Sequence, residues 1–339
     1  MKYQSLKCIK CGKKAADRIM ICSFCKGYYS LLFVDYKKKV SSFDQLYEYY
    51  LPFGLFKETD FTNCSLLKYT KNLWIKNEGE NKSKSIKEKD IFAGLRVASY
   101  FKFKRASLVS SGSGISVFNF FAKKANLPIT LYSPVSAKRL YSKDQVIAGD
   151  DYEDTFRQVL DNGDSNSFNI TPGINPYSQE GAKVISWQLI DSGLDFDIIV
   201  VPCGNGSILW SIYKGFKEAL ENGRIDKIPA LHSVELKNGP IRRALKTEKI
   251  EKNDFVLHSK ASAIDVKESF CLQKAVIAIK KSGGKANYVS EKEIEQAYKK
   301  LHNSGFKTQF AAAAAFAAAL KLSKKFSKKR VCCVITASE

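Results

Sequence analysis

Apolar and polar positions alternate along this chain in blocks that predict strands and helices in turn. From residue 105 onward, continuous apolar runs such as FDIIVVPCG (196–204) have the length and content of buried strands. Other stretches carry apolar residues at helical spacing. The predicted strands are 105–111, 129–134, 196–204, 230–236 and 329–338, and the predicted helices are 115–127, 152–163 and 207–223. Such alternation is typical of an α/β fold with parallel sheets covered by helices on both faces.

The longest apolar segment is the alanine-rich FAAAAAFAAALKL (310–322), which we interpret as a buried helix. It falls short of the roughly 18 residues that a membrane span needs. The first residues, MKYQSLKCIKCGKK, lack the apolar centre of a signal peptide, so we expect a cytoplasmic protein with no membrane partner. The chain of 339 residues is long enough for two domains, and the polar, turn-rich stretch 161–178 is the predicted crossing between them.

The charge balance is strongly basic, with 55 Lys and Arg against 34 Asp and Glu and a net charge of +21. A nucleic-acid partner is one explanation for such a charge. The lysines, however, are spread along the chain and rarely alternate with aromatic residues. We therefore favour a solvated basic surface. We interpret KLSKKFSKKR (321–330) as the solvent-exposed end of a helix that precedes the last strand.

Four of the nine cysteines form two short pairs, Cys8 with Cys11 and Cys22 with Cys25. Two such pairs supply the four thiolates that tetrahedral zinc requires, and they leave no open position for catalysis. The alternatives are reduced thiols or disulfides, but without an export signal we predict a structural zinc knuckle. The other five lie in mostly apolar contexts and are predicted to be buried thiols: Cys64, Cys203, Cys271, Cys332 and Cys333.

Two glycine-rich turns join a predicted strand to a predicted helix, VVPCGNGSILW (200–210) and LVSSGSGISVF (108–118). Turns of this kind present free backbone N–H groups at a helix N-terminus, where they bind phosphate or carboxylate. Taken alone, GNGS is equally compatible with a plain connecting turn. It lacks the Lys-Ser/Thr of a P-loop and the third glycine of a dinucleotide site.

A third unusual segment is LWIKNEGENKSKSIKEKD (73–90), which opens like a buried strand and then gathers lysines at 82, 84, 87 and 89. It is either a solvated basic loop or a segment in which one lysine has a chemical role. A partly desolvated lysine amine can condense with an aldehyde.

Together these segments resemble a threonine synthase-type enzyme of the fold type II, tryptophan synthase β-like group, which uses pyridoxal 5'-phosphate (PLP). The resemblance covers nearly the whole chain. NKSKSIKEKD is similar to the family segment that carries the Schiff-base lysine, and NPYSQEGAKV (175–184) is similar to a second family motif. The segment 282–301 is similar to the C-terminal half of the family, and CCVITAS to its final strand.

The resemblance implies a role for each matched residue. Lys87 would form the Schiff base and act as general base, and Thr336 would face the pyridine nitrogen with a hydroxyl. The cofactor phosphate would lie on Gly204, Asn205, Gly206 and Ser207, and the substrate carboxylate on Ser110, Ser111, Gly112, Ser113 and Gly114. A hydroxyl at the ring nitrogen suits elimination and replacement more than transamination. The three histidines, His232, His258 and His302, have no partner motif and are given no chemical role.

The resemblance also implies two doubly wound three-layer domains with PLP between them, after an N-terminal zinc knuckle at 1–40. The smaller domain is predicted at 74–180, with the lysine and the carboxylate turn. The larger one is predicted at 41–73 and 181–339, with the phosphate loop. We expect a homodimer.

Four departures from the family pattern bear on the cofactor ring or on the substrate. Ser113 stands where the family has an Asn that contacts the cofactor ring oxygen, and Ser178 where it has an Arg that holds the substrate phosphate. Lys82 and Lys84 replace a Pro and a Gly, and TQFAA (308–312) replaces EPxSA. Lys82 and Lys84 either supply the lost charge to the substrate or reflect a lysine-rich composition.

The leading hypothesis is therefore an amino-acid biosynthetic lyase that converts O-phosphohomoserine to threonine and phosphate. The alternative enzyme is a β-replacement synthase, such as a cysteate synthase-like activity on O-phosphoserine. Outside enzymes, the chain would be a catalytically silent relative or a zinc-knuckle nucleic-acid binder.

Overall fold

The computed structural model describes residues 4–37, 46–112, 114–122, 127–140, 145–162, 164, 166–247 and 259–339. The chain divides into two compact units. Unit 1 comprises Met1–Phe61 and Lys87–Gly181, and unit 2 comprises Thr62–Ile86 and Ala182–Glu339. Each unit has its own parallel sheet and its own hydrophobic core.

The strands are β1 Gln4–Cys8, β2 Lys14–Ala15, β3 Leu32–Tyr36, β4 Leu66–Lys68, β5 Leu73–Asn77, β6 Arg105–Val109, β7 Ile129–Ser133, β8 Gln145–Ile147, β9 Ser167–Asn169, β10 Ile198–Pro202, β11 Ala230–Glu235, β12 Ala286–Tyr288 and β13 Val331–Ile335. The helices are α1 Leu46–Tyr49, α2 Lys87–Tyr100, α3 Gly114–Ala122, α4 Tyr152–Asp161, α5 Val184–Asp191, α6 Ser207–Glu221, α7 Pro240–Thr247, α8 Leu272–Ser282, α9 Glu291–Asn303 and α10 Phe310–Lys325.

Unit 2 is built on a six-stranded sheet in the order β12-β11-β10-β13-β5-β4. All neighbours run parallel except β4, which pairs antiparallel with β5 at the edge. In β10 and β13 every residue is buried, because helices cover both faces of the sheet. Alternate residues of these strands, such as Val200 and Cys333, form one core with α9 and α10. On the other face, α6 and α8 pack against β11.

Unit 1 contains a four-stranded parallel sheet in the order β8-β7-β6-β9. The helices α2 and α3 contribute Ile91, Val97 and Phe118 to a core with Leu108 and Leu131 of the sheet. The helix α4 packs against β6 and β7. Unit 1 is therefore also an α/β layer structure, and the predicted fold class is confirmed in both units.

The N-terminal part of unit 1 is a small antiparallel sheet in the order β2-β1-β3. Its inward residues Leu6, Leu32 and Val34 belong to the same core as α2 and α3. Tyr36 Oη donates to Glu180 Oε2 at 3.1 Å, and Tyr177 Oη donates to Asp17 O at 2.8 Å. The knuckle is thus packed onto the rest of unit 1.

The compact units differ from the predicted segments in two places. Residues 74–86 belong to unit 2, because β5 pairs with β13 in the larger sheet, and residues 46–61 belong to unit 1. The stretch 161–178 is not the crossing, since its strand β9 pairs with β6. The chain passes between units after Phe61, Ile86 and Gly181. Among the described residues, no helix has the length and apolar character needed to cross a membrane.

Candidate active site

The carboxyl edge of the unit 2 sheet brings together two of the predicted site segments. β10 and β13 are parallel neighbours, with Val200 paired to Cys333. The loop 203–207 follows β10 and Thr336 follows β13, so both begin at the same edge of the sheet. Ligands bind at this edge in open α/β sheets, because the strand-to-helix loops and the helix N-termini converge there.

The loop 203–207 has the geometry of an anion cradle. Gly206 has a left-handed backbone with φ of 83°, and a Cβ there would lie 2.7 Å from Ala275 Cβ. A Cβ on Gly204 would lie 2.6 Å from Ala263 O. Only glycine therefore permits this close packing. The first backbone hydrogen bond of α6 runs from Trp210 N to Gly206 O, and the N-cap residue Gly206 offers no side-chain acceptor to the preceding N–H groups.

Asn205 is held by two hydrogen bonds from the segment 269–271, and its side-chain N–H donor is buried. Its Oδ1 accepts a hydrogen bond from Cys271 N at 3.0 Å, and its backbone O accepts one from Ser269 Oγ at 2.6 Å. Asn205 Nδ2 is buried and has no hydrogen-bond partner among the described residues. A buried donor without an acceptor costs about 1–3 kcal/mol. An anion in the cradle would remove that cost.

Thr336 lies beside the backbone that leads to Lys87. Ile86 N donates to Thr336 O at 2.8 Å, Ser85 forms a bridge with Ala337, and Ser338 N donates to Lys84 O at 3.0 Å. The half-buried Thr336 makes no side-chain hydrogen bond with any residue in the described ranges, so its hydroxyl is available to a ligand. The structure thus brings Thr336 to within one hydrogen bond of the residue before Lys87.

Lys87 is the first residue of α2 and is half-buried. Burial lowers the pKa of its ammonium to about 8, and the negative charge of the fully buried Asp90, one turn later, acts in the opposite direction. At neutral pH a useful fraction of Lys87 is therefore the neutral amine. That form is the nucleophile toward an aldehyde.

The turn 110–114 in unit 1 is organised by its first residue. Ser110 Oγ accepts hydrogen bonds from Gly112 N at 3.3 Å and Gly114 N at 3.1 Å, so Ser110 caps the start of α3. The exposed member of the turn is Ser111. Ser113 lies outside the described residues. Ser110 thus holds the shape of the turn, while Ser111 is exposed.

Comparison with known families decides the class of protein. Residues 57–337 match the family model described as pyridoxal-phosphate dependent enzyme. This chain belongs to that family.

Individual relatives agree with the assignment of this PLP-dependent enzyme. The chain is 28% identical to threonine synthase of Methanosarcina acetivorans, over 94% of this chain and 86% of the relative. It is 25% identical to threonine synthase of Methanocaldococcus jannaschii, over 97% and 91% of the two chains. In fold it is similar to a fungal L-serine ammonia-lyase from Rhizomucor miehei, with a TM-score of 0.69, 14% identity, and coverage of 82% and 94%. The chain therefore has the fold type II architecture.

The residues of the cradle fit the phosphate group of this family's cofactor. Two glycines admit close backbone approach. Within the described part of the chain, α6 has no side-chain N-cap and Asn205 Nδ2 is a buried donor without an acceptor. These three features favour a dianion. Separately, in unit 1, the half-buried Lys87 has a lowered pKa, which is the property that reaction with an aldehyde requires.

The three residues predicted to contact a substrate phosphate lie in different surroundings. Ser178 is fully buried, and its hydroxyl donates to Ile170 O at 2.9 Å. Lys84 is exposed, has φ of 61°, and donates from Nζ to Glu339 O at 2.9 Å. Lys82 is exposed and has no ion-pair partner within the described part of the chain. Of the three, only Lys82 has an uncommitted charge.

Lys89 does not fit the alternative in which this segment is a solvated basic loop. A lysine of such a loop would be exposed, but Lys89 is only 1% exposed. The reason is that residues 178–181 cross α2 at this point. Gly181 lies directly against the backbone of Lys89, and Gly94 lies against Ser178. The helix is therefore covered on a side that the sequence pattern gave as polar.

The four knuckle cysteines form one cluster. Their sulfur atoms all lie within 4.8 Å of one another, with 3.9 Å from Cys8 to Cys25 and 3.8 Å from Cys11 to Cys22. Four sulfurs at 2.3 Å from a tetrahedral zinc would be separated by about 3.8 Å. Lys10 N also donates to Cys8 Sγ at 3.3 Å. The donor set and spacing fit zinc. The other five cysteines are buried, as predicted.

Two residues that organise unit 1 were missed by sequence reasoning. Asn175 is fully buried, and its Oδ1 accepts from Tyr177 N and Ser178 N at 2.8 and 3.0 Å. Thr171 Oγ1 accepts from Val109 N at 2.9 Å, just before the turn 110–114. Asn175 could have been found from its place at the start of NPYSQEG. Thr171 gave no signal, because its role depends on a neighbouring strand end.

The lowered pKa of Lys87 predicts how cofactor uptake depends on pH. If association of PLP with the apoprotein requires the neutral amine, its rate should rise about eightfold between pH 6.5 and 7.5. Between pH 8.5 and 9.5 it should rise less than about twofold, because the amine is then mostly neutral. Stopped-flow absorbance would measure this. A rate that still rises about tenfold per unit above pH 9 would show an ordinary lysine.

Proposed function

We propose that this protein is a PLP-dependent lyase that acts on an anionic, O-phosphorylated amino acid, with O-phosphohomoserine as the first candidate and threonine and phosphate as products. The threonine synthase relatives match 94% and 97% of the chain, which supports this reaction class. The observation that carries the proposal is the cradle at 203–207, with its uncapped helix and the unmatched donor of Asn205.

Each of the predicted site residues would have a distinct role. Gly204, Asn205, Gly206 and Ser207 would hold the cofactor phosphate, and Thr336 would offer a hydroxyl to the ring nitrogen. Lys87 Nζ would hold the cofactor aldehyde and, once displaced by the substrate amine, take the proton from the α-carbon. When bound, the cofactor would supply the electron sink for the electron pair that loss of this proton leaves on the α-carbon. Ser111 and the turn around it would receive the substrate carboxylate.

Zinc in the knuckle is part of the same proposal. The four thiolates leave no position for water or substrate, so the metal would be structural. Its contribution would be to fix the β1–β3 sheet, which shares a core with α2. Lys87 begins that helix.

A specific observation keeps a second candidate open. Position 178, where the family has the phosphate-binding Arg, is a fully buried serine whose hydroxyl hydrogen is donated to Ile170 O. What remains there for a phosphate is an acceptor lone pair and no charge. A β-replacement enzyme acting on O-phosphoserine would suit such a change, and the shorter substrate would place its phosphate elsewhere.

The deciding experiment is a substrate screen. The protein is reconstituted with PLP, and O-phosphohomoserine, O-phosphoserine and serine are tested for release of phosphate or keto acid. Phosphate release with formation of threonine from O-phosphohomoserine supports the leading proposal. Release from O-phosphoserine alone selects the second candidate. Binding of PLP without turnover of any of the three would contradict both and favour a catalytically silent relative.

A double variant tests how the substrate phosphate is recognised. Replacing Lys82 and Lys84 together with Ala should lower the specificity constant for O-phosphohomoserine by about 10-fold or more, the loss expected for a charge-assisted contact. An unphosphorylated analogue should be little affected. Because Lys84 is already bonded to Glu339 O, Lys82→Ala alone should account for most of the loss. Equal losses on both substrates would assign these lysines to the solvated surface.

A further inference from the structure

Glu235 is a buried carboxylate at the carboxyl edge of the unit 2 sheet, and no step proposed above uses it. It is the last residue of β11 and is fully buried. Its Oε1 accepts from Ile241 N at 2.9 Å, and its Oε2 accepts from Arg242 N at 2.8 Å. Both carboxylate oxygens are thus bonded to the first turn of α7. The side chain fixes where that helix begins.

The loop that connects β11 to α7 packs tightly against the Glu235 side chain. A Cβ on Gly239 would lie 2.5 Å from Glu235 Cβ and Oε1, so the loop closes directly over the carboxylate. Gly239 N donates to Leu236 O at 3.0 Å, and Arg242 Nη1 donates to Lys237 O at 3.0 Å. These bonds keep the start of α7 at one position relative to the strand end.

The same helix touches the phosphate cradle. Ile241 Cδ1 lies 3.4 Å from the position that a Cβ of Gly206 would occupy, and Ile241 is fully buried. On the strand side, Cys203 N donates to Val234 O at 2.8 Å, one residue before Glu235. The cradle therefore contacts α7, whose first turn Glu235 holds, and the end of β11, where Glu235 lies.

The charges around Glu235 set the pH at which it can act. Burial raises its pKa to about 7, while the two N–H donors and the guanidinium groups of Arg242 and Arg243 act in the opposite direction. The thiol of Cys203, at the start of the cradle, also faces it. At pH 8.5 the Glu235 carboxylate is mostly charged. A neutral Gln at this position therefore differs from it most in charge at this pH.

We propose that Glu235 is a positioning residue for the cofactor-phosphate loop: it anchors α7, and Ile241 of α7 holds Gly206 in its left-handed conformation. This inference rests on the proposed role of the loop in binding PLP. It adds a residue that touches neither cofactor nor substrate. Its effect should therefore be on cofactor affinity and not on the chemical step.

The first test uses the apoprotein at pH 8.5 and measures backbone hydrogen exchange. In Glu235→Gln, the amides of Ile241 and Arg242 and those of the loop 204–207 should exchange about 10-fold faster, or more, as expected for loss of a charge-assisted bond. Glu293→Gln is the matched control, because Glu293 also caps a unit 2 helix, accepting from Ser290 N at 2.9 Å. It should leave 204–207 unchanged.

The second test measures PLP binding and turnover. Glu235→Gln should weaken PLP affinity by about 10-fold, with kcat at saturating PLP within about twofold of the parent. Unchanged exchange at 204–207 overturns the proposal, as does a fall in kcat with normal PLP affinity. Faster exchange with unchanged affinity supports the positioning role and overturns instead the assignment of the loop as the phosphate site.

A second variant covers the case in which Glu235→Gln does not fold. Ile241→Ala keeps the carboxylate and both of its backbone bonds, and removes only the side chain that lies against Gly206. It should speed exchange at 204–207 and weaken PLP binding. Normal exchange at 204–207 in Ile241→Ala would overturn the proposal.

Discussion

Replacing Lys87 with Ala is expected to abolish the visible absorbance band of lysine-bound PLP and to reduce turnover by at least about 10²–10⁴-fold, the range lost with a general base. Lys87 would be the sole covalent attachment to the cofactor and the base for the α-proton. Its lowered pKa already sets it apart from an ordinary surface lysine. Folding should survive, because Lys87 is half-buried at the first residue of α2 and does not belong to the hydrophobic core of unit 1.

The matched control is Lys82→Ala, which removes an exposed lysine five residues earlier in the same segment. It should keep the absorbance band unchanged. Mass spectrometry after borohydride reduction would locate the modified lysine directly. A band that persists in Lys87→Ala, with the adduct on Lys82, Lys84 or Lys89, would contradict the assignment of this segment.

Removal of metal from the knuckle is expected to destabilise unit 1 as a whole. Metal binding to four thiolates contributes about 10–16 kcal/mol in isolated zinc-finger peptides, which matches or exceeds the usual stability of a domain. Here the knuckle residues Leu6, Cys8 and Val34 belong to the same core as α2 and α3. Loss of the metal should therefore loosen α2, and not only the first 37 residues.

The measurement is metal content together with thermal unfolding, before and after a chelator. We expect one zinc per chain in freshly purified, reduced protein. Cys11→Ser should bind less than about a tenth of that, because Cys11 is exposed and its loss leaves three thiolates without disturbing the core. Cys64→Ala, at a buried cysteine outside the cluster, should keep the zinc. Absence of metal from the parent protein would end this prediction.

The candidate phosphate loop and the four-cysteine cluster could be predicted from the sequence because each is a local pattern. A cradle needs a strand, two glycines and a helix in a row, and VVPCGNGSILW has all three within 11 residues. The four cysteines can be recognised from their spacing in the sequence alone. The apolar runs likewise predicted the central strands β6, β7, β10, β11 and β13, since strands in a sheet covered on both faces contain few polar residues.

Short edge strands were not predicted. β8, β9 and β12 have three residues each, and their only support is the neighbour to which they pair. The stretch 161–178 therefore appeared to be a linker, although β9 is bonded to β6. For the same reason β5 was placed in the wrong segment. Its sequence shows a strand, but not that the partner is β13, more than 250 residues away.

By itself, then, the sequence determined the fold class and indicated the candidate lysine, the candidate phosphate loop and the four-cysteine cluster, because each of these is visible in residues close together in the chain. The tertiary structure decided which groups remain available. It buried Lys89 and Ser178 where residues 178–181 pack against α2, and it engaged Ser110 as a helix cap. Among the described residues, it also left Asn205 Nδ2 without an acceptor, and it bonded Glu235 to α7 next to the cradle. Burial and hydrogen bonding of this kind arise only when distant segments meet, so no local pattern records them.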